Sequence, residues 1–329
     1  MTLICMLFAL LIERLAVRSA PWQLLTYLAP YLRWSQQGPL ARLQQHAYGV
    51  FVWWLLPAAL LSLLLASVDF WLVTLLVNTL VLLVCMGCWH YRQLYKQYLN
   101  AAARSDEEAA FLVMQQLSQQ AGIQNSDLSY GQRLVWLNFR YYAAVLFWFA
   151  LLGVFGALAY AMLRQLAEPQ TFASELPQQS DSPVEAPVHA AEPATSNDSA
   201  AVDATGAKDA AISPGVAAAP VQTQAELYVS TVARDLLHLA DWLPVRLFSL
   251  GFALVGHFSK ASSKLLGYVF DVSAPAEDVL TQVAQVAEPI TVEPTELLQE
   301  SGSLLQLAKR NILFFLALIA ILTLSGWVS

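Results

Sequence analysis

Four stretches of the chain run free of charged residues over roughly the 20 apolar positions that carry a helix through a bilayer. They are Gly49–Val68, Phe70–Trp89, Tyr141–Leu163 and Asn311–Ser329. A charge at mid-membrane costs about 2.5–3.5 kcal/mol, so charge-free runs of this length predict membrane-spanning helices. Two shorter runs bring the number of spans to as many as six. Met1–Val17 is apolar up to Ile12 and then meets Glu13 and Arg14, which belong at headgroup level. It lacks the positively charged start of a signal peptide, so it reads as a short span or an anchor. Leu243–Phe258 is apolar apart from Arg246. It either crosses, lies in the interface, or folds back into the protein.

The first two long runs are separated by so few residues that they must turn back on each other as a hairpin. Asp69 is placed to cap the second helix, Pro57 to kink the first, and Asn78 to bond across to a neighbouring helix. Arg14, Arg18, Arg33 and Arg42 precede the hairpin; Arg92, Lys96, Arg104, Arg133 and Arg140 follow it. The Lys/Arg bias therefore puts both flanking loops in the cytoplasm. The third run then carries the chain outward. Lys260, Lys264, Lys309 and Arg310 favour a cytoplasmic position before the last span, which requires Leu243–Phe258 to cross. Between the spans, Ser105 and Glu108 have capping-box spacing. They predict a helix to about Gln120, stopped by Gly122, that packs through Ala110, Leu112, Val113 and Leu117. A second helix from about Gly131 runs into the third span. Trp136, Phe139, Tyr141 and Tyr142 lie where aromatic rings favour the membrane interface.

Composition agrees. Hydrophobic residues make up 57% of the 329, charged ones only 12%, and mean hydropathy is +0.50. Soluble domains carry about 25% charged residues, so an ordinary soluble enzyme and a nucleic-acid binder are excluded. The net charge of −7 is concentrated. Leu166–Ala233 holds nine acidic residues against one basic, Lys208, which leaves the remainder at +1. From Ala173 to Leu227 there is no aromatic residue. Such a segment buries too little apolar surface to offset its chain entropy, and 165–227 reads as a disordered acidic insertion between membrane-helix regions 1–164 and 228–329. Glu288–Glu300 is a smaller polar loop. The fold class is all-α: a polytopic helical membrane protein with amphipathic cytoplasmic helices.

Catalytic signatures are absent: the sequence contains no G-x-S-x-G, no G-x-G-x-x-G and no complete Walker A. Gly251 and Gly256 have the Walker glycine spacing, but His257 stands where lysine belongs; close helix packing accounts better for the two glycines. Cys5, Cys85 and Cys88 lie in apolar sequence. Cys85 and Cys88 form one C-x-x-C, with only His90 nearby, short of the three or four ligands a zinc site wants. No cofactor or metal is implied. The densest polar cluster contains Arg234, Asp235, His238, Asp241, Trp242, Pro244 and Arg246. Asp235, His238 and Asp241 follow at i,i+3 and so share one side of a helix. They form either a cation site or proton relay, or a solvated face where Pro244 kinks the helix into the membrane; the solvated face is favoured. Arg246, inside an apolar run, needs an acid, a phosphate or the interface.

At this cluster the chain resembles a known group. Asp241-Trp242-Leu243-Pro244-Val245-Arg246-Leu247 is similar to the D-[YW]-[IVL]-P-x-R-L signature shared by AmpE and the CbiB/CobD cobalamin-biosynthesis membrane proteins. The resemblance to AmpE extends further. It takes in Met1-Thr2-Leu3 with Glu13-Arg14-Leu15, Tyr98-Leu99 through Arg104 and Asp106, Trp136 through Asn138, Arg140 and Trp148, and Val245-Arg246-Leu247 to Gly256-His257. It implies an inner-membrane signalling modulator of Gram-negative bacteria, linked to peptidoglycan recycling, β-lactamase induction and the antibiotic response. It implies as partners membrane lipid and an AmpD-type amidase or another cytoplasmic regulator, met by the basic residues from Arg92 to Arg140. The alternative is an adenosylcobinamide-phosphate synthase-like enzyme using Asp235, His238, Asp241 and Arg246. The synthases' two carboxylates fall at Trp136 and Arg140 here, which counts against that chemistry. A carrier of wall fragments or corrinoids would need a polar cavity around Asn78, Asn138 and Arg246. The resemblance and the missing carboxylates together favour a regulator over an enzyme.

Overall fold

A computed structural model describes residues 2–15, 23–35, 46–87, 89–123, 125, 127–168, 224–269, 271–288 and 297–326. The acidic segment from 169 to 223, residues 289–296, Arg18, Arg42 and Cys88 lie outside them. The described residues contain helices and no strand. In order these are α1 (Thr2–Leu15), α2 (Leu24–Ser35), α3 (Ala47–Ala66), α4 (Trp71–Cys85), α5 (Trp89–Ala103), α6 (Glu107–Gln120) and α7 (Tyr130–Asn138). A π turn, Phe139–Ala143, leads into α8 (Ala144–Ala167). Then come α9 (Gln224–Val255), α10 (Phe258–Leu266), α11 (Ala276–Ala287) and α12 (Leu297–Leu324).

The protein is a polytopic helical membrane protein. Gly49–Ala66, Tyr228–Val255 and Gln299–Leu324 are each long and apolar enough to cross a bilayer; Tyr130–Ala167 matches them in length and composition but is broken at Gly153. The ambiguous run Leu243–Phe258 thus belongs, as far as Val255, to a longer apolar helix, and Phe258 opens the next one. Helices α4 and α5 qualify only as a pair, bent by 48°. The expected second span is therefore shorter than its charge-free run, because α4 ends at Cys85. At 14 residues, α1 is shorter than a span. Large apolar side chains stay exposed on the outer faces: Leu60, Leu63 and Leu64 on α3, Leu76 on α4, and Leu313 and Ile321 on α12. Exposed apolar surface of this extent is what lipid covers.

Polar groups tie the helices together inside. Trp54 Nε1 donates to Ala159 O at 2.8 Å, and the Tyr31 hydroxyl to Trp53 O at 2.8 Å. Asn311 Nδ2 donates to Phe248 O at 2.9 Å. Gly251 makes that bond possible, since a Cβ there would lie 2.1 Å from Asn311 Oδ1. Close packing is therefore what the Gly251/Gly256 pair does; at Gly256 a Cβ would meet Ala287 O at 2.5 Å. Asn78, expected to bond across helices, makes no hydrogen bond among the described residues. Helix α3 continues past Pro57.

Two caps fall one residue from their expected places. Helix α4 begins after Phe70, without a side-chain cap, so Asp69 sits a residue too early to serve. Helix α6 is capped by Asp106, whose carboxylate accepts from Ala109 N at 3.0 Å, because Ser105 takes a left-handed conformation (φ 57°). That helix ends as expected at Gly122 (φ 64°). It buries Ala110, Met114 and Leu117 and exposes Leu112. Helix α7 carries the full capping box, Ser129 with Gln132.

The main departure from expectation lies in the third apolar run. Arg164 Nη1 donates to Arg140 O at 2.9 Å, and the Tyr141 hydroxyl to Glu168 at 3.0 Å. A straight helix would hold residues 141 and 168 about 40 Å apart. The run instead reverses at Gly153, whose φ of 65° and ψ of −147° break the helix. Beyond it, a Cβ on Gly156 would meet Trp148 O at 2.4 Å. The apolar arms, Tyr141–Leu152 and Val154–Leu163, are each under about 20 Å long, short of the ~30 Å hydrocarbon core. Glu168 therefore returns to the level of Tyr141 instead of emerging on the far side. Only glycine adopts the Gly153 conformation readily, and a Cβ there meets nothing within 4 Å. Gly153→Ala is expected to cost about 1–3 kcal/mol of pure backbone strain. Gly302→Ala, in α12 and equally uncrowded, should be neutral or slightly stabilising. Melting midpoints of the two purified variants in one detergent check this.

Candidate functional site

The reversal at Gly153 brings one end of the hairpin against α9, and the charges the sequence scatters along the chain meet there. Arg140 is 8% exposed, Glu168 3%, Asp241 2% and Arg164 1%. Two guanidinium groups face two carboxylates, so the group is balanced, as buried charge must be. The hydroxyls of Tyr141 and Tyr160 serve the acids. Tyr160 donates to Asp241 Oδ1 at 2.7 Å, and Tyr141 to both Glu168 oxygens, at 3.0 and 3.2 Å. Arg164 donates to Arg140 O and, at 3.1 Å, to Cys85 O, with its guanidinium 3.8 Å from the Tyr141 ring centre. Burial pushes the Glu168 carboxyl above its ordinary range, against the lowering pull of Arg140 and Arg164.

Arg140 is the less satisfied cation. It lies 3.9 Å from Glu168 and 4.0 Å from Asp241, beyond hydrogen-bond reach of either. Its one hydrogen bond among the described residues runs from Nη1 to Ala121 O at 3.3 Å, and its buried Nε has no partner. The Trp136 ring lies 5.4 Å from its guanidinium. Arg140, Glu168, Asp241 and Trp136 form one wall of a cavity of about 460 Å³. Arg234, Leu237 and His238 of α9 form another, and Glu277 and Asp278 in the first turn of α11 a third.

The D-W-L-P-V-R stretch contributes Asp241 to the cavity lining. Asp241 faces inward to Tyr160. One turn on, Arg246 reaches away from the cavity to the chain between α10 and α11. It donates to Tyr268 O at 3.1 Å, Val269 O at 3.2 Å, Trp242 O at 3.0 Å, and also to Asp271 O. The Trp242 ring stacks on it at 4.3 Å. His238 holds the same connection through Val272 O at 3.1 Å. The Asp271 carboxyl accepts from the Ser273 hydroxyl and backbone, which hold it below its ordinary range. The partner expected for Arg246 was an acid, a phosphate or the interface; it is a set of backbone carbonyls. Pro244 is buried within an unbroken α9.

Asp235, His238 and Asp241 do not form one cluster. Each three-residue step falls 60° short of a full turn, so over six residues Asp235 turns out to solvent while Asp241 turns inward. Arg234 is exposed beside its own Ser230 O, and His257 opens α10 without a side-chain cap. Glu13, expected at headgroup level, is 5% exposed; it accepts from the Tyr142 hydroxyl at 2.6 Å and pairs with Arg92. Trp136, Phe139 and Tyr141, expected at the membrane interface, are buried in the protein instead. Asn138 is half-buried, and Arg14 and Arg104 are exposed. Of the basic residues expected to offer a partner surface, Arg92, Arg133 and Arg140 are engaged within the protein, while Lys96 and Arg104 are exposed.

Glu168, Arg164, Tyr160, Glu277 and Asp278 escaped the sequence reading. A signal existed for the first two: ionisable residues closing an apolar run mark a functional candidate. Cys85 is fully buried. Among the described residues no group of three or more His, Cys, Asp or Glu is placed to hold a metal ion.

A family model described as regulatory signalling modulator protein AmpE matches residues 1–192 and 216–328. Protein AmpE of Shigella flexneri is 28% identical over 340 residues, covering 99% of each chain. No solved structure matches.

Proposed function

The chain belongs to the AmpE family, and on that premise we propose that it is an inner-membrane regulator coupling cell-wall status to β-lactamase induction and the antibiotic response. The observation that carries this reading is the extent of the family match, which takes in both membrane-helix regions and every residue of the Arg140 group. The site is in keeping with it. A cavity lined by charged side chains and held by helix packing is suited to taking up a polar signal, and exposed Lys96 and Arg104 offer basic positions to an AmpD-type amidase or another cytoplasmic regulator. In this reading the chain transmits the state of peptidoglycan recycling and catalyses nothing itself.

Deletion tests it. In a strain with an inducible β-lactamase, loss of the protein is expected to change basal or β-lactam-induced expression, and the intact chain supplied in trans to restore it. Unchanged expression under both conditions defeats the regulatory role.

A further inference from the structure

We propose that the cavity beside Arg140 binds a small zwitterion of di- or tripeptide length, its carboxylate on Arg140 and its ammonium on the acids of α11. This deepens the regulatory reading by giving it an input.

Arg140 supplies the first half of the argument. A guanidinium carries five N–H donors, and this one spends a single hydrogen bond on the protein among the described residues. The two nearest acids are already served by Tyr141 and Tyr160. A cation buried to 92% that lines a cavity with donors unspent calls for an acceptor, and a carboxylate matches its fork best.

The remaining walls exclude a simple anion. Besides Arg140 and Arg234, the described residues lining the cavity include Glu168, Asp241, Glu277 and Asp278, four carboxylates against two guanidinium groups. Arg164 behind the wall offsets one of them. An anion alone would meet net repulsion, and a cation alone would leave Arg140 unserved. A ligand carrying both charges meets both demands. A cavity of about 460 Å³ is within the range of small-ligand sites and roughly 10 Å across. Two or three extended residues at about 3.3–3.6 Å each separate their charged ends by a comparable distance.

The test uses the purified full chain in detergent and three probes: tri-alanine, its N-acetylated form and its C-amidated form. Tri-alanine is expected to give a titratable heat and raise the melting midpoint, with each blocked form about tenfold weaker or worse. Asp278→Asn keeps an oxygen for the Asn125 amide that bonds it at 2.8 Å and so should fold. It should weaken tri-alanine while leaving the N-acetylated peptide unaffected. Arg140→Gln should abolish binding of the free and N-acetylated forms alike. No heat or shift from any peptide at millimolar concentration, or equal binding of free and blocked forms, overturns the proposal. An induction phenotype without peptide binding defeats this inference alone; peptide binding without an induction phenotype defeats only the regulatory role.

Discussion

Arg140→Gln is expected to cost about 3–5 kcal/mol of stability, the usual result of breaking a buried ion group from one side. Glu168 and Asp241 would be left facing Arg164 alone, with one buried negative charge uncompensated. The loss is specific in sign. Adding Asp241→Asn to the same chain restores balance, Arg164 against Glu168, and keeps an oxygen to accept from Tyr160. The double variant should therefore be more stable than Arg140→Gln. Denaturation in a fixed detergent, run as a double-mutant cycle over the four proteins, measures the coupling. Additive losses would show that Arg140 and Asp241 act independently despite their 4.0 Å separation.

Arg246→Lys should be nearly as damaging as Arg246→Ala, at about 2–3 kcal/mol, because the geometry rather than the charge is used. Hydrogen bonds from a charged group contribute about 1.5–3 kcal/mol each. A planar fork meets carbonyls of residues 268, 269 and 271 while stacking on Trp242, and a single ammonium cannot do both. The connection between α10 and α11 should loosen first. Limited proteolysis near Asp271 is expected to speed up well before global unfolding, with peptide binding weakened because Pro275–Asp278 follow on from the clamp and line the cavity. Proteolysis and binding like those of the unaltered chain in the Lys variant would reduce Arg246 to a snorkelling surface cation.

The helical membrane fold is legible in the sequence because its signal is one-dimensional: a run of residues without charge states its own environment. Gly49–Val68 and Asn311–Ser329 needed nothing from elsewhere in the chain. Composition is equally silent on direction. The run Tyr141–Leu163 has the right length and polarity for a span, and whether it continues or reverses depends on one dihedral pair at Gly153, where many glycines would have stayed helical. That reversal is also why the site was half seen. Arg140 and Asp241 were marked by their motifs, but they are 101 positions apart, and only the hairpin brings Arg140 to Glu168. Glu168 itself was absorbed into the acidic segment that begins beside it. The i,i+3 spacing of Asp235, His238 and Asp241 misled for a different reason: three residues fall short of a helical turn, so such a series spirals away from any single partner.

The reversal at Gly153 carries the cavity, the ion group and the placement of Glu168, and a single distance decides it. Spin labels at half-buried Asn138 and Ala167, with Cys5, Cys85 and Cys88 replaced by serine or alanine, report their separation in bilayer nanodiscs by pulsed dipolar spectroscopy. A folded-back run gives a distance well below half of the about 44 Å that a continuous helix imposes over 29 residues. A narrow distribution near that longer distance would mean that the run crosses as one rod, that Arg140 never meets Glu168, and that no cavity forms between them.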